Sequence, residues 1–266
     1  MLEALFHRAK GTFRAAFIPY VMAGDPDTET TEAVLLALSD AGADAIELGI
    51  PYGDPLADGP TIAAAGQRAL AGGMDVRGVL QIVSRHRENG GAPIVLFSYF
   101  NPIYQYGIER FSHDASDAGA SAVIVPDVAL EESEELSVTL AEHGLDMPLL
   151  VAPSTKPGRA AKIAAASTGF IYVVARLGVT GAGSEPASAA LRSQIGLLRG
   201  ITDKPLAVGF GLSAPEHAAE VAHFADGVIV GSALIDTYAG LRGAEAAARV
   251  RVYAESLIAA ARYAIA

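Results

Sequence analysis

Glu47 stands where a carboxylate is least expected. The run Ala41-Gly42-Ala43-Asp44-Ala45-Ile46-Glu47-Leu48-Gly49-Ile50-Pro51 reads as a buried strand, a short apolar stretch with a glycine turn before it and a proline after it. A strand covered on both faces should be almost wholly apolar. Two later stretches, Ala118 to Pro126 and Ala225 to Gly231, repeat the pattern, and Ile124 and Ile229 fall where Glu47 does. A lone ionised carboxylate taken out of water is costly and raises its pKa instead. That suits a group that must give and take a proton near neutrality. The structural alternative is a glutamate paired with a neighbouring cation.

Asp58 lies in the loop beyond the same strand, just before Gly59-Pro60. By itself it reads as a helix N-cap. Beside Glu47 it becomes a second carboxylate, and two carboxylates in unlike environments can divide acid and base work. Asp54 and Asp127 read as turn or capping residues. Tyr20, Tyr99 and Tyr172 fall on or near strand ends, and with Phe97 and Phe210 they would line an apolar pocket for a flat ring. Tyr172, on the strand face shared with Phe170 and Val174, reads equally well as an ordinary core tyrosine.

Three glycine sites follow the late strands: Gly178-Val179-Thr180-Gly181-Ala182-Gly183, Gly209-Phe210-Gly211-Leu212-Ser213, and Gly231-Ser232 at the start of a helix. Glycine lets backbone N–H groups approach a ligand closely, and a helix N-terminus favours an anion. Any one of them is an ordinary turn; three in succession point to a phosphate site.

These residues need elements to hold them. Apolar runs at Ala16–Met22, around Glu47, and at 94–99, 122–125, 148–152, 170–174, 205–208 and 227–230 read as eight strands. Helical patterns intervene, including one capped by Thr28 or Thr30 and running to Ala41, and others over 61–70, 76–88, 108–118 and 131–142. A short amphipathic helix, Leu2 to Lys10, precedes the first strand, and Asn101-Pro102 reads as a turn. Strict strand–helix alternation means parallel strands. Eight units in 266 residues, with no linker or composition shift, fit one domain over 1–266, an α/β fold closed as a (β/α)8 barrel. A doubly wound sheet is the alternative, but no G-x-G-x-x-G follows the first strand. In a barrel the chemistry sits at the C-terminal strand ends. Period-two alternation then turns Ala45, Glu47 and Gly49 into the lumen and Ile46, Leu48 and Ile50 out towards the helices.

A net charge of −11 argues against nucleic acid or an anionic membrane as partner. Zero cysteines exclude disulfides, thiol nucleophiles and thiolate metal sites. The six histidines form no spaced ligand motif and read as solvated or capping residues on helices. With no signal peptide and no membrane span in the pattern, the expected setting is soluble and cytoplasmic.

The block from Glu47 to Pro60 closely resembles the signature of the tryptophan synthase alpha-chain family. So do Pro19-Tyr20, Ala23-Gly24-Asp25-Pro26, Tyr99-Phe100-Asn101-Pro102, Gly178-Val179-Thr180-Gly181, Gly209-Phe210-Gly211 and Gly231-Ser232, and the likeness runs over essentially the whole chain. The resemblance implies a TIM barrel that cleaves indole-3-glycerol phosphate to indole and glyceraldehyde 3-phosphate, a retro-aldol reaction without metal or organic cofactor. It makes Glu47 the acid/base catalyst, Asp58 its partner at the indole nitrogen and Tyr172 a contact near Glu47. Substrate and phosphate would meet Tyr20, Phe97, Tyr99, Thr180, Gly181, Phe210, Gly211, Gly231 and Ser232. It also implies a pyridoxal-phosphate beta chain in an alpha2-beta2 assembly, met through Pro51, Asp54, Asn101 and Pro102 and receiving indole. A stand-alone indole-3-glycerol phosphate lyase would share the fold and the catalytic pair, and a non-catalytic barrel that activates a partner would share the fold. Two positions and one segment depart from the family pattern: Met22 replaces a common Thr, Gly53 a common Ser, and Ala182-Gly183-Ser184 stands where many members carry a basic residue.

Overall fold

The structure, a computed structural model, describes residues 2–175, 189–209 and 211–262. The strands are β1 (Ala16–Met22), β2 (Ile46–Gly49), β3 (Ile94–Phe97), β4 (Ala120–Ile124), β5 (Leu149–Val151), β6 (Ile171–Val174), β7 (Leu206–Gly209) and β8 (Gly227–Val230). The helices are α1 (Leu2–Gly11), α2 (Thr28–Ala41), α3 (Pro60–Ala71), α4 (Val76–Glu88), α5 (Phe100–Tyr106), α6 (Ile108–Asp117), α7 (Glu134–Glu142), α8 (Pro157–Ala166), α9 (Ala189–Arg199), α10 (Pro215–Ala222), α11 (Ser232–Tyr238) and α12 (Gly243–Ala260).

All paired strands are parallel, in the order β4-β3-β2-β1-β8-β7-β6-β5. Opposite β1, the ends of that order meet: Ala122 bridges Asp146, with Val123 N–H donating to the Asp146 carbonyl at 2.9 Å. The result is the expected (β/α)8 TIM barrel with an added N-terminal helix. Its strands are buried on both faces, as parallel sheets covered by helices must be. α1 closes the N-terminal end. Its Phe6 packs on Phe170 with ring centroids 5.5 Å apart, and a side chain at Gly227 would collide with the Phe6 ring at 2.8 Å. The other end is left for the loops.

Four local expectations need correction. α2 is capped by Asp27, whose side chain accepts from Thr30 N–H at 2.8 Å, not by Thr28 or Thr30. The Thr30 hydroxyl instead accepts from Gly243 N–H at 3.0 Å, tying α2 to α12. β3 stops at Phe97, and Asn101-Pro102 lies inside α5 rather than in a turn. Proline is tolerated there because the N–H it lacks has no partner in a first helical turn. Asp127 caps α5 from the loop after β4, accepting from Phe100 N–H at 2.9 Å. Finally, His86 on α4 is neither solvated nor capping. It is buried against Ala92 O at 3.2 Å, and burial lowers its pKa.

Candidate active site

Glu47 occupies the middle of β2, level with Tyr20 on β1 and Val95 on β3. Its charge bears on Tyr20 and also on Tyr172, which stands on β6 across the barrel, so the side chain points into the lumen. It is 1% exposed, and its Oε1 has no hydrogen-bond partner among the described residues. The paired-cation alternative therefore finds no support there. Burial alone raises the carboxyl from 4.5 to about 8. At neutral pH Glu47 is mainly a neutral acid, ready to donate.

That shift makes a stability prediction. Between pH 4.5 and about 8 the folded chain holds a proton that the unfolded chain has lost. Stability is therefore fully present below 4.5 and falls as pH rises through 8. At about 1.4 kcal/mol per pKa unit, the upper bound of the loss is on the order of 4 to 5 kcal/mol. Glu47→Gln cannot ionise and should escape it. Melting curves should show the variant several degrees more stable at pH 9 and little changed at pH 5; an equal difference at both pH values would contradict the shift.

Two tyrosines flank the carboxyl, each laid over a glycine of the next strand. A Cβ on Gly49 would stand 2.2 Å from the Tyr20 hydroxyl, and one on Gly209 would stand 2.2 Å from the Tyr172 hydroxyl. Glycine is needed at both places because the phenols approach the backbone so closely. Tyr20 also meets Phe97 edge-on, at 5.7 Å and 89°. Burial, then Asp58 and Glu47, hold the Tyr20 phenol protonated; burial and then Glu47 do so for Tyr172.

Asp58 does not cap α3; that place is taken by Gly59. Its Oδ1 instead accepts from the Tyr99 hydroxyl at 2.9 Å, and the same hydroxyl accepts from Ala57 N–H at 2.8 Å. Tyr99, the residue before α5, thus fixes the Asp58 loop from the β3 side. Burial raises the Asp58 pKa, with the Tyr99 bond opposing. Tyr99→Phe leaves an amide and a carboxylate oxygen without their partner, at about 1–3 kcal/mol. The variant should melt lower and cleave substrate more slowly, and unchanged values of both would contradict this role for Tyr99.

Of the late glycine sites, the start of α11 comes close to Tyr20. Gly211, in the bend after β7, has φ +90°, which favours glycine. Gly231 and Ser232 open α11, and a Cβ on Gly231 would touch the Tyr20 Cβ at 3.4 Å. The Gly231–Ser232 corner and the carboxylate pocket therefore share Tyr20 as a wall.

The sequence model for "Tryptophan synthase alpha chain" matches residues 6–262. The chain belongs to the tryptophan synthase alpha-chain family. It is 48% identical over 253 residues to the alpha chain of a Picosynechococcus species, spanning 95% of this chain and 96% of that one. It is 50% identical over 230 residues to the alpha chain of Citrifermentans bemidjiense, 86% of each. Among solved structures, Mycobacterium tuberculosis tryptophan synthase superposes with a TM-score of 0.92 at 38% identity, covering 99% of this chain and 98% of that one. The Legionella pneumophila alpha chain gives 0.86 at 34% identity, covering 97% and 96%.

For a tryptophan synthase alpha chain, a beta chain is the expected partner. Of the four residues assigned to that contact, Asp54 and Asn101 are exposed, Pro102 is half-buried and Pro51 is buried rather than exposed. The sequence reading did not single out Leu56, in the loop that holds Asp54, or Tyr104 on α5, which are 72% and 60% exposed. It also missed Gly49 and Gly209 as tyrosine seats. Thr180, Gly181 and Phe210, and with them all of 178–184, lie outside the described residues. Among the described residues no group of three or more His, Cys, Asp or Glu could hold a metal ion, and no helix is long and apolar enough to cross a membrane.

Proposed function

We propose that Glu47 moves the protons of the alpha-chain reaction, with Asp58 and Tyr172 completing the catalytic group. The reaction is the lyase step of tryptophan biosynthesis: indole-3-glycerol phosphate is split into indole and glyceraldehyde 3-phosphate, and the indole passes to the beta chain. The observation that carries the assignment is the buried carboxyl of Glu47, whose Oε1 has no hydrogen-bond partner among the described residues and whose pKa burial raises to about 8.

Glu47 gives its proton to indole C3, and the ring nitrogen becomes electron-poor. Asp58, once ionised, accepts the indole N–H and stabilises that charge. The Glu47 carboxylate then takes the proton of the hydroxyl on the adjacent side-chain carbon. The bond from C3 to that carbon breaks, its electrons return to the ring, and the carbon leaves as an aldehyde. Glu47 ends as it began, so no net proton is consumed. One group acting in both directions needs a pKa near the working pH, which burial supplies. Tyr172, seated over Gly209, bounds the lumen beside Glu47 and limits where the acid can point.

Tyr20, Phe97 and Tyr99 would hold the ring, with Thr180, Gly181, Phe210, Gly211, Gly231 and Ser232 holding the phosphate. The chemistry uses side chains alone, so we assign this chain no cofactor; pyridoxal phosphate belongs on the beta chain. We assign it one barrel domain, a cytoplasmic setting and an alpha2-beta2 assembly in which Asp54, Asn101 and Pro102 meet the beta chain and the buried Pro51 anchors the loop that carries Asp54. Purified chain given indole-3-glycerol phosphate should release indole, faster when a beta chain is added. Absence of indole in both mixtures would overturn the reading.

A further inference from the structure

Away from the reacting groups, Asp25 is a buried carboxylate that the catalytic account does not use. It lies in the loop after β1, 2% exposed, and Arg68 near the end of α3 holds both its oxygens, Nε to Oδ1 at 2.7 Å and Nη2 to Oδ2 at 2.9 Å. Only the carboxylate is buried; the Arg68 side chain is 46% exposed, so solvent screens the pair and its direct contribution to stability is small. A two-pronged arginine–carboxylate contact does fix orientation. What it orients here is α3, whose first residue, Pro60, stands two places after Asp58.

The other end of α3 is tied as well. Thr61 donates its hydroxyl to Asp236 Oδ1 on α11 at 3.2 Å, and α11 is the helix opened by Ser232. Between the two ties α3 packs on β1 and α11, and Gly66 faces the end of the Met22 side chain, where a Cβ would find it at 3.6 Å. Tyr238, the last residue of α11, is buried in the charge field of Asp25 and Arg68, and it in turn bears on Tyr20 beside Glu47 and Asp58. Tyr99 fixes the Asp58 loop from one side, and on the other the loop runs directly into the start of α3.

We propose that Arg68, through its two-pronged grip on Asp25, is a positioning residue that sets Asp58 by anchoring the far end of α3. The proposal rests on the assignment of Asp58 to the indole nitrogen. Lysine in place of Arg68 keeps the charge beside Asp25 and loses the fork, so α3 can shift along its axis. A displacement near 1 Å at a positioned group can cost up to about 10²-fold in rate.

The test is a double-mutant cycle on kcat/KM with Arg68→Lys and Asp58→Asn, read below the melting temperature of each variant. Arg68→Lys should lower kcat/KM about tenfold when Asp58 is present and less than about twofold in the Asp58→Asn background. A merely structural arginine would cost the same factor in both backgrounds, and that result, or no loss in either, overturns the proposal. Wild-type activity in Asp58→Asn alone would instead overturn the role of Asp58, so the two failures are distinct. Should Arg68→Lys fail to fold, Thr61→Val loosens the opposite tie of α3 and should show the same non-additivity; additive losses there count against the proposal equally.

Discussion

Glu47→Gln should bind indole-3-glycerol phosphate and turn it over at least about 10²-fold, and up to about 10⁴-fold, more slowly than the native chain. Glutamine keeps the shape and can still donate a hydrogen bond, so lumen packing and the seats of Tyr20 and Tyr172 are preserved. What it cannot do is release a proton to indole C3 or receive one from the hydroxyl. The loss should therefore appear in kcat with KM nearly unchanged, the signature of an interaction made in the transition state. The accompanying gain in stability at high pH keeps misfolding from explaining the loss. A variant that retained near-native turnover would remove Glu47 from the mechanism.

Gly209→Ala should come next in size. The added methyl would stand 2.2 Å from the Tyr172 hydroxyl and 2.7 Å from its ring, and both residues lie in buried strands with little room to yield. Overpacking of this kind costs about 1–3 kcal/mol. The ring must also leave its seat beside Glu47, and a misplacement near 1 Å can cost up to about 10²-fold in rate. We expect a lower melting temperature together with a fall in kcat of that order. Removing the clashing oxygen in Gly209→Ala/Tyr172→Phe should return part of the stability and little of the activity. A Gly209→Ala chain with native melting and turnover would show that the close seat does not matter.

What could be read from the chain alone follows the range of each cause. The barrel was legible because each strand is a contiguous apolar run between turn residues, and alternation of strands with helices dictates parallel pairing. Glu47 was legible for the same local reason: one acidic residue interrupts a run whose counterparts carry isoleucine. The inward face of β2 followed from the pleat. Asp58 was visible, but its Tyr99 partner lies 41 residues away, and the Arg68–Asp25 contact spans 43. No local pattern reports such distances. The seats at Gly49 and Gly209 were hidden because glycine at a strand end reads as a turn; the ring that needs the space lies on a neighbouring strand. α5 was missed because Asn-Pro usually marks a turn, and the cap that lets a helix start there, Asp127, comes from the loop after β4. The exposure of Leu56 and Tyr104 was not legible either, because a lone apolar residue in a loop or short helix carries no mark in sequence of whether it is covered.

The reaction depends on the protonation state of one side chain, and infrared difference spectroscopy of the native chain against Glu47→Gln reads it directly. A protonated carboxyl band from Glu47 is expected at pH 7, fading with a midpoint near 8. A Glu47 already ionised at pH 6 would mean that the lumen does not hold the acid on which the reaction depends.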